Sequence, residues 1–227
     1  MRIKCSVRQK VMGCLVLTSA LVLSGCASRV TTEDRYSGFL QSYGDLKETT
    51  SASGAPILRW ISPDFDPQNY KALLFEPVRF YPQAKPTEQV SADVLNGILT
   101  YTNTKLKQAA EQRLPLVTKP GPGVLEFRGA ITAVDTSDQD LRAYELIPVA
   151  LVIAGTRAAA GARPKDTNLY FEGELLDSVT KKPLVKIVRK GQGTQVAGST
   201  EQVTLDDLKT VIDGMATDTT MFGVVKQ

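Results

Sequence analysis

The chain has 227 residues, 42% of them hydrophobic, and carries 27 Lys and Arg against 24 Asp and Glu, a formal charge of +3. It contains no histidine and three cysteines, so Ser-His triads, Cys-His dyads and histidine-ligated zinc or iron are excluded by composition alone. The small positive balance is not a nucleic-acid footprint, which needs clustered basic excess.

The first element in chain order is an address. Arg2, Lys4, Arg8 and Lys10 precede the apolar run Val11 to Leu23, and small residues follow, the three parts of a secretory signal. A spanning helix needs about 20 apolar residues, more than this run supplies. Leu23-Ser24-Gly25-Cys26 resembles the lipobox of bacterial lipoproteins. That resemblance implies cleavage between Gly25 and Cys26 and acylation of Cys26 on its sulfur and its new amino group, with the lipid bilayer as partner. Each buried methylene contributes about 0.8 kcal/mol, and two or three chains make attachment effectively permanent. Residues 1–25 are therefore read as a signal peptide, 26–35 as a lipidated flexible tether and 36–227 as a single domain. Four of the 27 basic residues leave with the signal and no acidic one does, so 23 remain against 24 and the mature formal charge is near −1. Cys5 and Cys14 also leave, and with Cys26 acylated the mature chain has no free thiol. In a Gram-negative host, Ala27 and Ser28 after the cysteine imply outer-membrane residence facing the periplasm.

Tyr36 to Leu46 places Phe39, Leu40, Tyr43 and Leu46 at helical spacing, but Gly38 and Gly44 argue for a docking turn over a regular helix. Lys47 to Ala55 reads as a polar loop and Ile57 to Ile61 as a short strand ended by Ser62-Pro63. Tyr70 to Tyr81, with Leu73, Leu74, Phe75, Val78 and Phe80, predicts a mostly buried strand whose second half, after Pro77, lies at an edge or bulge. From Val90 to Arg113, apolar positions Val94, Leu95, Ile98, Leu99, Leu106, Ala109 and Ala110 recur at three and four, predicting an amphipathic helix capped by Ser91. Val124 to Val134 and Leu169 to Leu176 alternate as half-buried strands. Asp177 to Pro183 then turns the chain into a hairpin partner at Leu184 to Val188. Thr204-Leu-Asp-Asp207 is a conservative variant of the capping box, opening a helix with the stripe Leu205, Leu208, Val211, Ile212 and Met215. The order strands, helix, strands, helix predicts a single α+β domain, two main helices packed on one face of a largely antiparallel, mixed sheet.

The tract Tyr36-Ser-Gly-Phe-Leu with Tyr43, the tract Tyr70-Lys-Ala-Leu-Leu-Phe-Glu-Pro-Val and the tract Gly173-Glu-Leu-Leu-Asp-Ser-Val-Thr together resemble domain-of-unknown-function family 3313 (DUF3313). These are bacterial lipoproteins of about this length, and the resemblance covers nearly the whole mature chain. It implies no activity and no site residues. Where such turns often carry Thr-Gly, this chain has Thr180-Lys181, which leaves the turn type open but not the hairpin.

Several groups of residues invite a chemical reading. Asp135, Asp138 and Asp140 gather carboxylates after a strand, but they lack the glycine and closing glutamate of a calcium loop, so a solvated loop is the expectation. Asp64 and Asp66 flank Phe65 in a Pro-bounded turn, where nothing sets them across a cleft for glycosidic acid and base work. Gly191-Gln-Gly193 and Gly121-Pro-Gly123 are too short for phosphate loops and read as hairpin and connection glycines. Trp60, Tyr70, Phe75 and Tyr81 at strand positions read as core before ligand groove. Leu146 to Thr156 is more apolar than a connection should be, and core, partner or self contact, and lipid contact all stay open for it. The expectation is thus a non-catalytic lipoprotein that binds an envelope partner or itself, or serves a structural role, with no cofactor, metal or nucleic acid. The alternative is a carboxylate-dependent envelope hydrolase, without a nucleophile elbow or paired acid motif to carry it.

Overall fold

Two long alternating segments form the centre of the structure, and the other elements are laid against them. The computed structural model describes residues 30–86, 90–135, 165–196 and 202–222. The signal, the lipobox with Gly25 and Cys26, Asp138, Asp140 and the stretch Leu146 to Thr156 lie outside the described residues. In chain order the elements are β1 (Lys47–Thr50), β2 (Pro56–Ile61), β3 (Ala72–Phe75), β4 (Arg79–Phe80), α1 (Ala92–Glu111), β5 (Leu116–Val117), β6 (Val124–Asp135), β7 (Lys165–Asp177), β8 (Pro183–Val196) and α2 (Asp206–Met221). They build one mixed sheet of 8 strands in the order β1-β2-β8-β7-β6-β3-β5, with β4 also paired to β6. Neighbours from β1 through β6 run antiparallel, whereas β3 and β4 run parallel to β6 and β5 parallel to β3. Both helices pack on one face, so the α+β expectation holds.

The core between helices and sheet is made by the stripes the sequence displays. Ile98 and Leu106 of α1 and Leu208, Val211, Ile212 and Met215 of α2 close over Ile131, Val134, Leu169 and Phe171. Ser91 caps α1, its hydroxyl accepting from the Val94 N–H at 3.3 Å. At α2 the reciprocal half of the capping box forms. Asp207 Oδ2 accepts from the Thr204 N–H at 2.8 Å and from its hydroxyl at 2.7 Å.

The expected strand over Tyr70 to Tyr81 is two strands, because Pro77 offers no N–H to a ladder. Its halves, β3 and β4, lie one after the other along the same side of β6. In the gap Asn103 of α1 substitutes for a strand. Its amide donates to the Val78 carbonyl at 3.0 Å and its Oδ1 accepts from the Val78 N–H at 2.7 Å.

Three further expectations are corrected. Lys47 to Thr50, read as loop, is the edge strand β1; it is exposed on nearly every residue and so shows no apolar alternation. The strand expected to end at Val188 continues to Val196. Gly191 and Gly193 disguise that continuation; they are neither hairpin nor connection glycines but places where α2 comes down on β8. A Cβ on Gly193 would stand 2.0 Å from the Asp207 carbonyl oxygen, and one on Gly191 would stand 2.1 Å from Val211 Cγ1. Packed structure also reaches upstream of Tyr36, where the tether was placed through Arg35. Glu33–Arg35 is a 3-10 turn, and Thr31 and Arg35 are buried.

Candidate functional site

Side chains alternate across a strand, so the residues that do not meet the helices share the opposite face. In register across four strands, Arg128, Glu174, Lys186 and Trp60 form one row, and Ala130, Glu172, Val188 and Leu58 the next. A half-buried strand should show this polar face to water. Instead Glu172 is 1% exposed, Lys186 3%, Glu174 4% and Glu126 5%. The cover is the segment from Val30 to Leu46, whose Phe39 and Leu40 pack on Leu58, Ala130 and Val188 with Tyr36, Tyr43 and Leu46 alongside.

This strap is fastened at three points. At the end of β6, Arg35 donates from Nη1 to Asp135 Oδ2 at 3.0 Å and to the Tyr170 hydroxyl at 2.7 Å, with side-chain exposures of 2% for Arg35 and 6% for Asp135. Asn168 donates to the other Asp135 oxygen at 2.8 Å. In the middle, Glu172 accepts from the Ser37 N–H at 2.9 Å and from the Tyr43 hydroxyl at 2.7 Å. That hydroxyl in turn accepts from the N–H groups of Gly38 and Leu40, at 2.8 and 3.2 Å. Tyr36 stacks on the Tyr43 ring with centroids 4.2 Å apart. Farther down, Lys186 lies over Trp60 at 4.6 Å and donates to Ser42 Oγ and O at 2.7 and 3.1 Å.

The electrostatics follow from the burial. Desolvation and the bond to Glu172 push the Tyr43 phenol well above its ordinary value, so it stays a proton donor at any physiological pH. Burial also lifts the Glu174 carboxyl, against the pull of Arg128 and Lys186 and with the repulsion of Glu126. Arg128 holds Glu174 at 3.1 Å, and Lys181 pairs with Glu126.

The residues singled out in the sequence are dispersed. Asp135 is neither in a solvated loop nor in a calcium loop, because it closes β6 as the buried partner of Arg35. Asp64 pairs with Lys182 at 2.8 Å on the surface, and Asp66 caps a 3-10 turn through the Gln68 N–H. Phe75 stacks with Phe127, while Tyr81 meets Phe39 on the other face, where Trp60 lies against Lys186, so these aromatic residues are divided between the two faces of the sheet. Among the described residues, no group of three His, Cys, Asp or Glu is placed to hold a metal ion. A groove of about 380 Å3 lies elsewhere, between α1 and α2, lined by Lys105, Gln112, Asp213 and Thr217 among others. The fastening by Arg35, Tyr43 and Glu172 was not foreseen. Its one trace in the sequence is the set Glu126, Arg128, Glu172, Glu174 and Lys186, opposite charges on faces that alternation puts side by side.

The description "Protein of unknown function (DUF3313)" matches residues 35–219. The chain is 54% identical over 211 residues to "Uncharacterized lipoprotein YdcL" of Escherichia coli K12, covering 93% of this chain and 95% of that one, and the O157:H7 protein of the same name matches equally. Among solved structures it is similar to a PelC dodecamer from Paraburkholderia phytofirmans, at 10% identity and TM-score 0.32 over 70% of this chain and 96% of that one. A PDZ domain protein from Parabacteroides distasonis gives 11% identity and TM-score 0.42 over 81% of this chain and 38% of that one. Likenesses this distant carry no functional weight. The match from residue 35 to 219 and the 54% identity to a lipoprotein agree with the tracts around Tyr36, Tyr70 and Gly173, and the chain belongs to the DUF3313 family.

Proposed function

We propose that this protein is an envelope lipoprotein, cleaved between Gly25 and Cys26 and anchored through acylated Cys26, whose domain does binding or structural work without catalysis. The observation that carries this reading is how the buried charged groups are used. Asp135 and Glu172 are saturated by Arg35, Ser37 and Tyr43, residues of the segment that begins a few positions after the acylated cysteine. The groups best suited to chemistry hold the anchored end of the chain to its sheet. The lipoprotein relatives in Escherichia coli support the anchor, and with a Gram-negative host Ala27 and Ser28 support outer-membrane residence facing the periplasm.

The competing reading, a carboxylate-dependent hydrolase, has the raised Glu174 carboxyl and its neighbour Glu126 in its favour. Against it stand the burial of both carboxylates and their pairing with Arg128 and Lys181. Replacement of Cys26 by Ser tests the anchor. The variant should accumulate as an uncleaved precursor that takes up no labelled fatty acid, and labelling of that variant would overturn the proposal. Recovery of the native protein in inner-membrane fractions alone would contradict outer-membrane residence.

A further inference from the structure

The strap has a direction. Arg35 is fastened where β6 ends and β7 begins, Ser37 lies at Glu172 nearer the middle, and Ser42 lies at Lys186, one cross-strand row farther along. Followed backwards, the chain therefore climbs toward the end of the sheet marked by Asp135, Asn168 and Val196. The Thr32 carbonyl accepts from the Arg35 N–H at 2.9 Å, which keeps Thr32 within one turn of that end, while Val30 packs on the cluster of Phe39, Leu58, Ala130 and Val188. Thr31, just upstream, is buried. Four residues separate Cys26 from Thr31, and the five steps of chain between them span at most about 18 Å even when fully extended.

From this geometry we infer a fixed orientation on the membrane. The end of the sheet at Asp135, Asn168 and Val196, together with the start of α2, faces the lipid bilayer, and the turn between β7 and β8 points away. The inference rests on the proposed acylation of Cys26. The long dimension of the sheet makes the two ends distinguishable, since β7, with 13 residues at about 3.3 Å each, separates them by roughly 40 Å. A tether of ordinary length would let the domain tumble. A reach of about 18 Å from a buried residue is shorter than the domain itself, so rotation that brings the far turn to the bilayer requires the strap to come off.

The mature chain has no free thiol, so a single introduced cysteine reports its own position. Gln195 is exposed at the proposed membrane end, and Val179, 58% exposed, marks the far turn. Acylated Gln195→Cys and Val179→Cys proteins, labelled with a fluorophore, are bound to phosphatidylethanolamine and phosphatidylglycerol vesicles that carry nitroxide on a fraction of the headgroups. Quenching at position 195 should exceed that at 179 at least threefold. A Gly/Ser insertion of about 20 residues after Ser28 reaches roughly 25 Å on average and should bring the two signals within a factor of 1.5. Equal or reversed quenching in the native-length proteins, with flotation on vesicles intact, overturns the orientation and leaves the anchor standing. So does an asymmetry that survives the insertion. Failure of the acylated proteins to float, or equal flotation of their Cys26→Ser counterparts, removes the anchor and the orientation with it.

Discussion

A carboxylate held among strands costs several kcal/mol unless neighbours replace its water. Glu172 has two donors from the strap, but Glu174 has Arg128 on one side and Glu126 close by, and its carboxyl stays lifted by burial. A raised carboxyl means that the folded chain holds this proton more readily than the unfolded chain, whose glutamates titrate near 4.3. The associated stability is fully present below that value and is lost as pH rises through the folded one. Replacing Glu174 by Gln should therefore flatten the slope of unfolding free energy against pH above about 4.3, measured by urea denaturation of the domain without its anchor. An unchanged slope would mean that this carboxyl is not the one titrating. At the same scale Lys181 resolves the turn that Thr180-Lys181 left open. It takes φ 58, the left-handed conformation that favours glycine, and Asp177 braces it by accepting from the N–H groups of Val179 and Thr180.

The docking of α2 on β8 depends on the absence of side chains. Overpacking a close contact costs about 1–3 kcal/mol where neighbours yield, and at Gly193 the neighbour is the backbone of Asp207. The Gly193→Ala domain should lose about 3 kcal/mol or more in urea denaturation and show weakened hydrogen-exchange protection in α2. A loss below about 1 kcal/mol would mean that the helix does not sit where described. The same contact explains which elements were legible. Helices α1 and α2 and the hairpin of β7 and β8 announce themselves through periodicity and caps, because each buries one clean stripe or face. The second half of β8 does not. Arg189 there is buried against Asp218 of α2, and Gly191 and Gly193 admit a helix, so charge and glycine stand where a strand ordinarily shows alternation. Strand β1 is illegible for the opposite reason, since an edge strand of Lys, Glu and Thr buries too little to leave a pattern.

The described residues form three layers, helices, sheet and strap; the first two are legible in the sequence, and of the third only the docking of Phe39, Leu40, Tyr43 and Leu46. The strap's apolar spacing marks its docking residues but not its path, which polar side chains more than 100 positions away specify. The chain has no histidine, the proposed cleavage and acylation leave it no free thiol, and no group of three metal-ligating side chains is found among the described residues. Its melting temperature should be indifferent to EDTA and to a thiol reductant, and a substantial fall with EDTA would mean that a carboxylate site binds metal after all. The strap also sets where mechanical load enters the fold. A pull on the chain upstream of Val30 passes through Val30 and buried Thr31 to Arg35, which hands it through Asp135 and Tyr170 to β6 and β7, the strands in the middle of the sheet. The edge hairpin of β1 and β2 follows the strap in sequence yet carries none of that tension while the Arg35 fastening holds. One edge of the sheet is thereby isolated from the force that the proposed anchor would transmit.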